Sequence, residues 1–136
     1  DEVINLAESP EHQDVLKRLR EAQQAHMRRI ADVCLLPEPE LHSRSAGSTP
    51  YELARSPDFP LERIIEAAEV ATSIDEKRVD ELTEIARDRD SAVRYWAAIG
   101  FLNHDAEIVT ANEKLIMSLL QDGSPSVQIV AAECLG

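Results

Sequence analysis

Apolar residues recur at spacings of three and four along most of this chain, and that period belongs to helices. Val15, Leu19, Ala22, His26, Ile30 and Val33 form the first stripe. The spacing predicts one long helix over residues 10–36. Ser9-Pro10-Glu11 is its start signal, because serine accepts from free N–H groups, proline fits the first turn and glutamate suits the positive helix end. Pro37 is its stop. Lys17, Arg18, Arg20, Arg28 and Arg29 lie off the stripe. His26 lies on it, where a histidine is more often a core-edge residue with one hydrogen-bond partner than a catalyst. No stretch alternates apolar and polar residues for long, so no strands are predicted.

Residues 37–60 break the pattern. Pro37, Pro39, Pro50, Pro57 and Pro60 fall here, with Ser43, Ser45, Gly47 and Ser48 between them. This reads as a Pro/Ser-rich connector and not a packed element. Thr49-Pro50-Tyr51-Glu52 is nevertheless a capping box with proline at the first helical position, so one or two helical turns are expected before Ser56-Pro57. Residues 38–48 hold one large apolar side chain, Leu41, and are expected to be mobile.

From Leu61 the stripes shorten. Leu61, Ile64, Ile65, Ala68 and Ala71 form one. Asp75 caps a second, with Val79, Leu82, Ile85 and Ala86 inward. Asp90 caps a third, with Val93, Trp96, Ala97, Gly100 and Phe101 inward. Thr110-Ala111-Asn112-Glu113 reads as a capping box for Leu115, Ile116, Leu119 and Leu120. Ser124-Pro125 opens the last, with Val127, Val130, Ala131 and Leu135.

The later stripes repeat. Asp88 matches Asp122 at an offset of 122 − 88 = 34, and Asp90, Val93, Trp96 and Ala97-Ala98 then match Ser124, Val127, Val130 and Ala131-Ala132. Gly123 is expected to be the left-handed residue after the preceding helix. A leucine-rich first helix, a D-x-[DS] turn and a V-[RQ]-x-x-A-A second helix resemble HEAT repeats over residues 76–136, with a degenerate copy from Leu61. Glu133 departs from that pattern where an apolar residue is common. The resemblance implies an α-solenoid of antiparallel helix pairs. Cys134-Leu135-Gly136 falls inside a second helix, so the repeats are expected to be truncated there. The apolar solenoid end is expected to seek a protein partner or a second copy.

The N-terminus carries another resemblance. Asp1-Glu2-Val3-Ile4-Asn5-Leu6-Ala7 followed by a long amphipathic helix is similar to the end of the sulfatase domain, in the arylsulfatase and heparan-sulfamidase group. Gly47-Ser48-Thr49-Pro50-Tyr51-Glu52 is similar to an extension seen in some bacterial sulfatases. Three regions follow. Residues 1–36 resemble the end of a sulfatase-like domain, 37–60 connect, and 61–136 form HEAT-like repeats. The resemblance implies a parent chain that hydrolyses sulfate esters with calcium and a formylglycine, in a periplasmic or extracellular setting. It also implies that this segment packs on its own upstream catalytic domain. Arg44, Thr49, Tyr51 and Arg55 are the expected contacts. The alternative is a free-standing HEAT-type protein–protein adapter.

Catalytic residues are not found in the sequence. The sulfatase C/S-x-P-x-R signature does not occur, and Cys34-Leu35-Leu36-Pro37 places its proline one position late with no following arginine. G-x-S-x-G, H-E-x-x-H, a P-loop and a glycine-rich dinucleotide turn are equally missing. Glu62, Glu66 and Glu69 share one helix face and read as a solvated surface. His12, His26, His42 and His104 show no metal-ligand spacing, so neither metal nor cofactor is expected. Cys34 and Cys134 read as small buried hydrophobes. The chain has 136 residues with 14 basic and 26 acidic side chains, a net charge of −12. That charge disfavours nucleic acid. No apolar run is long enough to span a membrane, and no partner membrane is expected. Lacking an initiator Met, the chain reads as cut from something longer.

Overall fold

The structure, a computed structural model, describes residues 4–136. Every regular element among them is helical. The α-helices are α1 (Gln13–Ile30), α2 (Glu38–Arg44), α3 (Pro50–Ala54), α4 (Leu61–Ser73), α5 (Val79–Ile85), α6 (Ser91–Asn103), α7 (Ala106–Ala111), α8 (Glu113–Leu119) and α9 (Pro125–Leu135). Two compact units divide between Asp32 and Val33.

In the first unit, Ser9 and Pro10 open a short 3-10 turn, Pro10–His12, that runs into α1. The Ser9 hydroxyl bonds the His12 Nδ1 at 2.9 Å and leaves the backbone N–H groups uncapped. Upstream, the Asn5 Oδ1 accepts from the Ala7 N–H at 3.0 Å, and the Gln13 side chain donates to the Ala7 and Ser9 carbonyls. Of the sulfatase-like segment, Asp1, Glu2 and Val3 lie outside the described residues. The long helix stops at Ile30, short of the expected Leu36. Ala31 turns left-handed at φ 54°, and the Ala31 and Asp32 N–H groups close back on Arg28 and Met27. The physical reason lies in the next residues. Leu36 is buried against Ile64 and Ala67, with Val33 and Leu35 packed beside it. Packing therefore takes Val33 and the expected last turn out of the helix. No residue of α1 is buried, and Leu19 stays 60% exposed.

In the second unit, α6 packs against α4, α5 and α9, and α8 packs against α9. One core cluster gathers Leu82, Ala97, Ala98, Phe101, Ile116, Leu119, Val127 and Ala131 among others. The second holds Leu36, Ile64, Ala67, Ala92 and Val93. The expected inward residues are largely the buried ones. Trp96 is a partial exception. It is half-buried at the edge of the second cluster, and its indole N–H donates to the Leu35 carbonyl at 2.9 Å.

The 34-residue offset reappears in the hydrogen bonds. The Asp88 Oδ1 accepts from the Asp90 N–H at 2.8 Å, and the Asp122 Oδ1 from the Ser124 N–H at 2.8 Å. The Arg94 side chain donates to the Asp88 carbonyl, and Gln128 to the Asp122 carbonyl. Asp88 and Asp122 each donate their own N–H to a carbonyl three residues back, at 3.1 Å. The two turns are thus equivalent in hydrogen bonding as well as in sequence.

Three local expectations are corrected. Thr110 does not cap α8. Asp105 caps α7 by accepting from Glu107 and Ile108, and Thr110 sits inside α7 with its hydroxyl donating to Ala106. A carboxylate that takes two N–H groups outcompetes a threonine that can bond its own helix. Gly123 is not left-handed; Gly47, at φ 81°, is the positive-φ glycine. Cys34 is exposed, and neither cysteine forms a disulfide.

Gly100 shows how tightly α6 is seated. A Cβ there would overlap a Leu82 methyl and come within 3.2 Å of the Ala71 Cα. Alanine in a helix interior ordinarily gains about 1 kcal/mol over glycine. Overpacking against two buried neighbours reverses that sign. Gly100→Ala is expected to destabilise by about 1–2 kcal/mol in urea unfolding. Gly123→Ala, with open space around it, is expected to stay within about 0.5 kcal/mol of the parent. A Gly100→Ala protein as stable as the parent would mean that Leu82 yields freely.

Candidate functional site

The densest polar cluster is built by α2 together with the turns that open α6 and α9. Glu40 and Arg44 stand one helical turn apart on α2, and the Arg44 Nε donates to the Glu40 Oε2 at 2.8 Å. Arg44 also holds Asp90 with both terminal nitrogens at 3.0 Å, and one of them reaches the Ser91 hydroxyl at 2.7 Å. The Ser91 hydroxyl donates onward to the Glu40 Oε2 at 2.9 Å. The Ser124 hydroxyl donates to the Glu40 Oε1. One carboxylate thereby joins the starts of two helices. The same bond takes Ser124 away from capping α9, whose first turn has no side-chain cap. Asp90 keeps its cap on α6, accepting from the Ala92 N–H at 2.9 Å.

A cleft of about 520 Å³ opens over this cluster, lined also by Pro39, Ser43, Arg89 and Arg94. Arg94 is committed to Asp122, through bonds of 2.6 and 2.8 Å. Arg63 makes the corresponding pair with Asp88. Each pair ties a helix to the turn of the following segment.

Burial pushes the Glu40 carboxyl up, but hydrogen bonds from Ser124, Arg44 and Ser91 outweigh it and hold the group below its usual range. Asp90 behaves likewise. Burial raises it, and the Arg44 hydrogen bonds and charge bring it down. In Asp122, burial is again outweighed, here by Arg94 and the Ser124 N–H. Carboxylates held down in this way are poor proton acceptors at neutral pH. The arrangement works as a polar clamp, with its carboxylates held charged by the groups that bond them. Among the described residues no group of His, Cys, Asp and Glu could hold a metal ion, and no helix is long and apolar enough to cross a membrane.

The expected contact residues fall in different places. Arg44 belongs to the clamp, with its side chain 20% exposed. This corrects the picture of residues 38–48 as a mobile stretch, because seven of them form α2 and two of those bond the repeat turns. The charged side chains of α2 anchor it where apolar ones are scarce. Thr49 makes the expected capping box, accepting from the Glu52 N–H while the Glu52 carboxylate accepts from the Thr49 N–H at 3.1 Å. Tyr51 is 66% exposed, with the Arg55 guanidinium 3.6 Å from its ring centre. Glu40 and Ser91 are the members that the sequence pattern did not single out, and Ser124 was read only as the start of α9. The i, i+4 spacing of Glu40 and Arg44 inside a proline-rich stretch was the available signal.

The clamp has a pH signature. All three carboxyls lie lower in the folded chain than their ordinary values, 4.5 for Glu40 and 3.8 for Asp90 and Asp122. Their stabilisation is therefore whole above those values and is lost as pH falls through the folded ones. Glu40→Gln is expected to cost about 1–3 kcal/mol at pH 7. It is also expected to flatten the loss of stability below about pH 4.5. Urea unfolding at a series of pH values checks both. An unchanged acid slope would remove Glu40 from the clamp. No protein-family model matches the chain, and neither the curated proteins nor the solved structures give a match, so the clamp is read from its own residues.

Proposed function

We propose that this chain is the non-catalytic C-terminal region of a sulfatase-type sulfuric ester hydrolase, in which HEAT-like repeats brace the enzyme and offer a protein-interaction surface. One observation carries the reading. α1 is an amphipathic helix of 18 residues with none buried, while residues 33–136 close two cores of their own. A helix in a protein draws most of its stability from packing of its apolar face rather than from propensity. The stripe of Val15, Leu19 and Ile30 suits a further body, and the Asn5-Leu6-Ala7 turn before it resembles the end of a sulfatase domain. The 34-residue recurrence of the Asp turns supports the HEAT-like assignment and, with it, a solenoid of antiparallel helix pairs. The upstream catalytic domain would carry the calcium and the formylglycine. A free-standing adapter gives α1 no role.

Two measurements test this. The chain alone is expected to turn over no aryl sulfate in the presence of calcium; turnover that follows the purified protein would refute the assignment. Amide exchange in α1 is expected to be fast in the chain alone and at least about tenfold slower when a sulfatase domain precedes it. Equal exchange in both would favour the adapter.

A further inference from the structure

The starts of α6 and α9 match in sequence but differ in how they are capped. At α6 the Asp90 carboxylate accepts from the Ala92 N–H at 2.9 Å. At α9 the matched residue is Ser124, whose hydroxyl is bonded to Glu40, and no side chain caps the helix. Pro125 brings no N–H. The Ser126 N–H, which matches that of Ala92, is left without the carboxylate that its counterpart has.

The side chain of the same residue points the same way. Ser126 is 8% exposed, and its hydroxyl makes no hydrogen bond among the described residues. Every fully enclosed side-chain N or O among them has a partner, so this hydroxyl is open on one side. Ser126 lines the cleft of about 520 Å³ over the clamp. Arg89 lines it too, exposed and, among the described residues, without an ion pair or hydrogen bond. Arg44 and Arg94, also on the cleft wall, are committed to Asp90 and Asp122. Three arginines thus stand against one lining carboxylate, Glu40, on a chain of net charge −12.

We propose that this cleft binds a carboxylate from outside the chain, held by the Ser126 N–H and hydroxyl at the start of α9 and by the Arg89 guanidinium. At the start of α6 the chain supplies that carboxylate itself. A helix N-terminus offers free donors and a positive field, and α9 has 11 residues. The serine hydroxyl adds a further donor, and a guanidinium meets a carboxylate with two parallel N–H groups. Glu40 sets the charge of the ligand. A fixed negative charge on the wall repels a dianion more than a monoanion, which favours a carboxylate over phosphate or sulfate.

Titration of the whole chain with sodium acetate tests this, with sodium chloride balancing ionic strength and NMR following the amides. The Ser126 amide and the Arg89 side-chain N–H are expected to shift together and to saturate, with Kd about 1 mM. A blocked Gly-Asp-Gly peptide separates two sources of the group. Tighter binding than acetate assigns the site to an acidic side chain of a protein partner, and equal binding to a free carboxylate. Arg89→Ala and Ser126→Ala are each expected to weaken binding at least about tenfold. Neither is expected to lower the urea midpoint, since neither side chain has a polar partner to lose. Arg87→Ala, outside the cleft, is expected to leave binding as it was. Shifts that never saturate, that chloride reproduces, or that survive both Arg89→Ala and Ser126→Ala would overturn the proposal. So would saturable binding of phosphate or sulfate with none of acetate.

Discussion

The second unit depends on what a short acidic turn does just before a helix begins. A helix start leaves N–H groups without partners, and a buried start must find acceptors for them. Asp88 and Asp122 order the turns that lead into α6 and α9, each accepting the N–H of the residue that precedes the helix, and at α6 that residue, Asp90, takes the Ala92 N–H in turn. The same carboxylates take an arginine from a neighbouring helix, Arg63 in one case and Arg94 in the other. Local turn geometry and packing between segments are thereby fixed by one side chain. With the turns held, small residues can line the contacts. Ala92, Ala97, Ala98 and Ala131 are fully buried, and a core so poor in aromatics requires that close approach.

The parts of this fold that were legible in the sequence are those that rest on local spacing. The stripes of α4, α6, α8 and α9 and the caps at Asp75 and Asp90 depend on neighbours a few residues apart. So does the 34-residue period. Those that escaped depend on distant residues. Ser124 looks like a cap for its own helix, yet its hydroxyl goes to Glu40, 84 residues away. Val33 continues the period of α1 and Leu36 is its expected end, yet both pack with Ile64 and Ala67. In both cases a tertiary partner overrides a sound local preference. Prolines hid the third, because residues 37–60 carry turn chemistry and also contain α2. The clamp was legible as residue types and illegible as a cluster.

Charge distribution explains why α2 can be anchored by polar side chains. A lone buried Arg–Glu pair gains little after desolvation. Arg44 instead meets two carboxylates and a hydroxyl, and Glu40 is completed by two serines, so the described bonds satisfy the buried polar atoms. Full satisfaction turns a costly burial into a specific one. An apolar replacement of similar volume could pack equally well, but it would not distinguish the starts of α6 and α9 from other helix ends. The clamp therefore sets where α2 sits more than how stable the unit is.

The two units show opposite solutions to the same problem. In residues 33–136 most apolar residues of the stripes are covered by other helices, and the charges that remain outside are mostly acidic. In α1 five basic and two acidic side chains surround a stripe that is not covered. A basic helix attracts any acidic surface at long range, whatever contact finally forms. That attraction is indiscriminate and fades with salt. Selectivity must then come from the apolar residues, whose fit is short-ranged and unaffected by screening. Leu19 and Ile30 of α1 are the side chains on which a specific partner would depend, and the surrounding arginines would mainly set how fast it is found.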